Sequence, residues 1–209
     1  MKYFNMSNIV SLVIYPDIRL KTASAEVVEF DDALRTRLSN MEKATKVFHG
    51  WGLAGVQIGC MQKIIYINHD AIVKYDDPKS EKGYPLRGAP LFMVNAKILE
   101  ISEQKFESTE GCLSLPGVEA TVQRGAYVKA QYQDEFGNEH IIETEVPTLA
   151  ACIQHEIDHT NGITIAEHQS PLKRNMLIKK IEKFLKTRNH PTKADLNSTC
   201  KSGCSHDHH

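Results

Sequence analysis

The segment His155-Glu156-Ile157-Asp158-His159 sets two imidazoles four residues apart, with a carboxylate beside the first. On a helix, positions i and i+4 share a face, so His155 and His159 can ligate one cation while Glu156, which need not ligate, moves protons. To assist hydrolysis such a cation needs a third protein ligand and an open position. The downstream donors typical of HExxH proteases match poorly. Gly162 is in register with an HExxHxxGxxH pattern, but Ile165 stands where the third His belongs and His168 comes three residues late. Glu182, placed where a second protease class has a glutamate ligand, lies in a Lys-rich stretch without the residues expected around it. A helix with one core histidine and one solvated histidine is the bland alternative, and the pair alone leaves the third ligand open.

The elements that must carry these groups follow from periodicity and breakers. Pro147 suits a helix start, Leu149, Ala150, Cys152, Ile153 and Ile157 give an apolar face, and Gly162 suits the position just past the helix end. A second amphipathic helix is expected over residues 31–48, capped by Asp31 or Asp32, with Leu34, Leu38, Met41, Thr45 and Phe48 recurring every three or four positions. Gly50 and Gly52 break it. Residues 63–68 and 91–102 read as strands, and Gly137-Asn138 marks a hairpin between AYVKAQYQ and HIIETEV. Residues 69–90, polar and rich in Gly and Pro, read as a long loop containing His69. The apolar stretch Ile9–Tyr15 reads as a first strand followed by a turn at Pro16-Asp17, and a last helix is expected from Pro171 to about Thr187. Strands in runs, not in βαβ alternation, indicate an α+β fold. The expectation is antiparallel sheets packed around a central HExxH helix, with an N-terminal and a C-terminal helix. Residues 1–190 would form one domain, and 191–209 a disordered polar tail.

Composition narrows the function classes. The chain has 25 Lys and Arg against 26 Asp and Glu, so no global field recruits nucleic acid or a membrane surface. No apolar run approaches the roughly 20 residues needed to span a bilayer, and the start lacks a signal-peptide cleavage pattern, so a cytoplasmic address is expected. Five cysteines at wide spacings argue for reduced thiols over a disulfide framework. Cys200, Cys204, His206, His208 and His209 form a separate tract in the tail that could collect a metal ion.

Three strings carry a family resemblance: Gly50-Trp51-Gly52-Leu53-Ala54-Gly55-Val56-Gln57, Glu110-Gly111-Cys112-Leu113-Ser114, and Gln154 through His159. In order and spacing they resemble the signature motifs of peptide deformylases, and residues 15–32 resemble that family's opening segment. The resemblance spans about residues 10–187. It implies a metal-dependent hydrolase that removes the N-formyl group from the initiator methionine of new polypeptides and releases formate. Cys112 then becomes the third ligand with His155 and His159. A thiolate and two neutral imidazoles leave one position for water on a divalent ion and suit Fe²⁺, Zn²⁺, Ni²⁺ or Co²⁺, with Fe²⁺ the ion the family often uses.

By the same match Glu156 is the general acid–base, and the Gln57 amide and the Leu113 N–H stabilise the oxyanion. Glu110 and Asp158 orient ligands, with Arg124 a partner for Glu110. Gly50, Gly52, Glu110, Gly111, Thr148, Ala151 and Cys152 line the substrate site. The two glycines would let the backbone run close to substrate. Thr148 and Ala151 are smaller or more polar than the family's usual residues, so a wider, less selective pocket is expected. Gly55 replaces a usual Ala and would add flexibility or space beside the site. Ala96 and Glu119 also depart from the pattern, away from the chemistry. A monomer is expected. The basic last helix, with Lys173, Arg174, Lys179, Lys180, Lys183, Lys186 and Arg188, could contact ribosomal RNA.

Overall fold

Asp31 caps the first helix: its carboxylate accepts the Leu34 amide at 2.8 Å, and α1 (Asp32–Val47) buries Leu34, Leu38, Met41 and Thr45 on one face. The computed structural model describes residues 4–5, 11–76 and 90–187. The expected tail, the start of the first apolar stretch and Arg188 lie outside the described residues. At the N-terminal end, β1 (Phe4–Asn5) pairs with β2 (Ser11–Leu12).

The main sheet is antiparallel, in the order β3 (Gly52–Ala54), β4 (Ile64–Ile67), β5 (Leu91–Ile101), β8 (Val128–Gln133), β9 (Glu139–Thr144). All four residues of β4 are buried, as an apolar run flanked by strands and covered on both faces should be. Between β4 and β5 the chain forms α2 (His69–Asp76). This corrects the loop expected over residues 69–90 at residues 69–76; residues 77–89 lie outside the described residues. Ile72 and Val73, 0% and 4% exposed, anchor one side of α2, and Asn68 receives the Ala71 and Ile72 amides at its start. Two adjacent apolar residues suffice here because the helix lies against a finished core; averaged over a polar stretch they are invisible. His69, expected in a loop, is buried in the first turn.

A separate sheet pairs β6 (Lys105–Gly111) with β7 (Glu119–Gly125), two strands that the residue pattern did not mark. The strand KFESTEG has no apolar alternation to show. In β7 alternate residues Ala120, Val122 and Arg124 point inward, and the arginine at the third inward position hides the period.

The helix α3 (Pro147–Thr160) packs against both larger sheets, touching β3, β4, β5, β7, β8, β9 and α2. Pro147 occupies its first turn. At the other end Gly162 takes a positive φ of 76°, and any β-carbon there would lie 2.8 Å from the Lys21 backbone, so glycine is required on two counts. Finally α4 (Pro171–Thr187) docks through Leu177 and Ile181 on a cluster that includes Cys112, Leu115 and Val118. Among the described residues, no helix is long and apolar enough to cross a membrane.

Candidate active site and metal centre

Three elements converge at one point. The helix α3 presents His155, Glu156 and His159; the end of β6 and the turn after it present Glu110, Gly111, Cys112 and Leu113; a 3₁₀ turn over Gly55–Ile58 presents Gln57. The candidate ligand atoms of Cys112, His155 and His159 all lie within 4.8 Å of one another. Cys112 Sγ sits 3.2 Å from His159 Nε2, and the two imidazoles are 4.9 Å apart with planes at 78°. His159 is fully buried, and its Nδ1 has no hydrogen-bond partner. A soft thiolate and two imidazoles crowded this closely suit a tetrahedral transition-metal site, so the residues fit a divalent ion.

The three ligands are supported unequally. His155 Nδ1 contacts Glu110 Oε2 at 2.8 Å, leaving its other nitrogen for a cation. Arg124 grips Glu110 with two bonds of 2.8 Å and reaches Asp158 at 2.6 Å. Asp158 in turn meets His168 at 2.8 Å. Arg124 is 3% exposed. Burial works against the Glu110 charge, but the hydrogen bonds from Arg124 and His155 outweigh it and hold the carboxyl down at about 2. Burial is also the main influence on His159, pushing it well below the ordinary imidazole value. That favours the neutral imidazole a ligand needs, whereas for His155 burial is outweighed by the hydrogen bonds with Cys112 and Glu110, which raise it well above the ordinary value.

Glu156 is treated oppositely. It is 3% exposed, its Oε2 has no partner, and burial raises its carboxyl to about 7 against the pull of His155. A β-carbon on Gly52 would fall on this carboxylate, 2.7 Å from Glu156 Cγ. Gly52 therefore makes room for the Glu156 side chain and also lines the cavity beside it. Gly50 is less constrained, its nearest neighbour being Leu113 at 3.2 Å.

Gln57 is oriented unambiguously. Its Oε1 accepts the Ala54 amide at 2.7 Å, which turns the NH₂ toward the sulfur of Cys112 at 3.5 Å. An amide NH₂ has two hydrogens, so one remains for a ligand. Gly55 does not add space: a β-carbon there would meet Ile64 at 2.6 Å. Its glycine lets β4 pack against the 3₁₀ turn that carries Gln57.

A cavity of about 310 Å³ opens beside these groups, lined by Gly50, Gly52, Gln57, Glu110, Gly111, Cys112, Leu113, Thr148, Ala151, Cys152, His155 and Glu156. His159 lies behind it. The same cavity is lined by Trp51, Tyr75, Phe106, Glu107, Ser108 and Thr109, which the sequence reading did not assign to the site. Trp51 stood inside the first motif, between its two glycines, and was open to notice. Tyr75 and the β6 residues belong to elements that left no readable pattern. The alternative protease donors do not join: His168 is paired with Asp158, and Glu182 is exposed on α4.

Comparison with known proteins agrees with this geometry. Residues 9–175 match the family model described as polypeptide deformylase. A peptide deformylase of Novosphingobium aromaticivorans is 36% identical over 186 residues, covering 84% of this chain and 96% of that protein. One from Brucella suis is 38% identical over 177 residues, covering 85% and 94%. The crystal structure of peptide deformylase from Ehrlichia chaffeensis superposes with a TM-score of 0.77 at 36% identity, covering 86% of this chain and 98% of that one.

Proposed function

The chain belongs to the peptide deformylase family, and from that membership we propose how its own residues remove the N-formyl group from the N-terminal methionine of new polypeptides. The enzyme is a metal-dependent hydrolase of one linear amide bond. Cys112, His155 and His159 hold one divalent ion, Fe²⁺ in the physiological state. Bound there, such an ion would supply Lewis acidity and would lower the pKa of a water toward about 7.

The remaining steps belong to side chains and backbone. The cavity holds the formylated residue with its carbonyl toward Gln57 and Leu113. Glu156 takes a proton as the water oxygen bonds to the formyl carbon. The developing oxyanion is met by the second Gln57 N–H and the Leu113 amide, preorganised donors whose loss typically costs roughly 2.7–4 kcal/mol. Glu156 then delivers its proton to the amine nitrogen as the C–N bond breaks, leaving formate and a free α-amino group. A carboxyl poised at about 7 can both accept and return a proton near neutral pH. Gly50, Gly52, Gly111 and the α3 residues Thr148, Ala151 and Cys152 border the bound substrate.

The observation that carries this reading is the buried Glu156 carboxyl, its Oε2 without a partner, next to a Cys-His-His cluster whose ligand atoms lie within 4.8 Å of one another. Formate release from formyl-Met peptides tests it, with casein cleavage measured alongside. Formate without casein cleavage supports it, and casein cleavage alone would replace it with a protease. Anaerobic purification followed by elemental analysis tests Fe²⁺; one zinc per chain and no iron would reject that ion.

A cytoplasmic monomer with one domain through residue 190 completes the proposal. For ribosome contact the support is Lys173, Lys179, Lys180, Lys183 and Lys186, all exposed on α4. Arg174 is instead spent on the Ala166 and Glu167 carbonyls at 3.0 and 3.1 Å. If charge reversal at Lys179, Lys183 and Lys186 left co-sedimentation with ribosomes at low salt unchanged, this contact would be rejected.

A further inference from the structure

The cavity beside the metal ligands is walled by three surfaces. The helix α3 offers small side chains, Thr148, Ala151 and Cys152; β6 offers Phe106 and a run of polar residues; and the turn after α1 and the end of α2 offer two aromatic rings, Trp51 and Tyr75. The rings meet edge to face, centroids 4.8 Å apart and planes at 60°, the arrangement their quadrupoles favour.

Asn68 ties both rings to one frame. Its Nδ2 donates to the Gly50 carbonyl at 3.3 Å and its backbone N–H to the Trp51 carbonyl at 2.6 Å, which fixes the loop that carries Trp51. Its own carbonyl receives the Ala71 amide at 3.1 Å, which starts the helix that carries Tyr75. Trp51 also packs on the cluster that contains Ile72, Leu149 and Cys152, so the pair is positioned against α3 as well. Tyr75 is 41% exposed although Ile72 and Val73 beside it are buried. It stands as a rim that an entering side chain would cover.

We propose that Trp51 and Tyr75 are specificity-determining residues that recognise the thioether of the formylated residue's side chain. The proposal rests on the deformylase reading above and adds to it the source of side-chain selection. A divalent sulfur gains from contact with aromatic rings at about 5 Å, an interaction a methylene of the same size lacks. Small neighbours on α3 leave length for an unbranched chain, while the rings supply the polarizable surface. Area burial alone ranks norleucine at or above methionine, because a methylene is more apolar than sulfur. A preference for methionine over norleucine therefore isolates the ring contribution.

The test uses the full-length metal-loaded enzyme and two substrates, formyl-Met-Ala and formyl-norleucyl-Ala, compared by kcat/KM. The wild type is expected to favour the methionine peptide about two- to tenfold. Tyr75→Phe should keep that ratio, Tyr75→Leu should at least halve it, and Tyr75→Leu combined with Trp51→Leu should lower it further toward one. The Tyr75 variants stand alone should the double variant fold poorly, since the Tyr75 ring is only partly covered. A wild-type ratio of one, or a ratio unmoved by Tyr75→Leu, overturns the proposal and leaves the deformylase reading intact. No formate from either peptide overturns both.

Discussion

The two sides of the metal centre are built by different means. On the helix side, the pitch of α3 sets His155, Glu156 and His159 on neighbouring positions, and that helix buries ten of its residues and touches every strand of the main sheet, β7 and α2. On the sheet side, Cys112 and Leu113 arrive at the end of a two-stranded ribbon whose residues are largely polar. Two polar ties fasten that ribbon to α3: Arg124 on β7 bridges Glu110 on β6 to Asp158 on the helix, and the Gln154 side-chain amide pairs with the Gly125 backbone through two bonds of 3.0 Å. One half of the site is therefore rigid through local geometry and burial, and the other leans on a buried ionic network centred on Arg124.

The largest effect should come from the helix side's chemistry. Glu156→Ala is expected to lower kcat by about 10²–10⁴ while metal content, read by elemental analysis, stays at the wild-type level. A loss of metal in that variant would mean that Glu156 helps to hold the ion, and would blur the division between the two sides.

Next is the sheet side's fastening. Arg124→Met strands the Glu110 carboxylate in the interior, so a stability loss of about 3–5 kcal/mol is expected in urea unfolding, with metal affinity weakened about 10- to 100-fold. The same network gives a pH signature. The Glu110 carboxyl is depressed from an ordinary 4.5 to about 2, so its stabilisation is complete above about 4.5 and is lost as pH falls through about 2. Wild-type protein should lose stability progressively across that window. Arg124→Met should show a shallower loss there, and equal slopes would disconnect Arg124 from the depressed carboxyl.

A smaller change is expected from Gln57→Leu, which removes one oxyanion donor. A kcat reduced by about 10²–10³ with KM nearly constant is the expected outcome in steady-state assays. Weakest of all should be His168→Ala at the exposed end of the network. It removes one contact to Asp158 with partial solvent access, worth about 0–1 kcal/mol. A thermal-melt shift as large as that of Arg124→Met would show that the network is anchored at the surface, not in the interior.

How much of this was legible in the residues alone differs by element. The helices α1, α3 and α4 could be drawn from caps, Pro, Gly and apolar spacing, because those signals act within a few residues of one another. The ribbon β6–β7 could not, since its inward positions include Glu110 and Arg124, which are buried only because they satisfy each other. The α2 segment was hidden for a related reason: its apolar anchor is two residues, meaningful only once a core exists to receive them. The same holds for Gly52 and Gly55. Each was recognised as unusual, yet what each makes room for, the Glu156 carboxylate and Ile64, depends on chain from elsewhere.

The sequence by itself determined the HExxH face, the order of the three motifs and the family they resemble, because helical pitch and motif spacing are properties of neighbouring residues. Only the tertiary structure decided that Glu156 is buried without a partner, that Gln57 turns its NH₂ toward Cys112, that Arg124 joins β6 to α3, and that Trp51 meets Tyr75 in the cavity. Those facts depend on desolvation and on contacts between residues far apart in the chain, and neither quantity exists until the chain has folded.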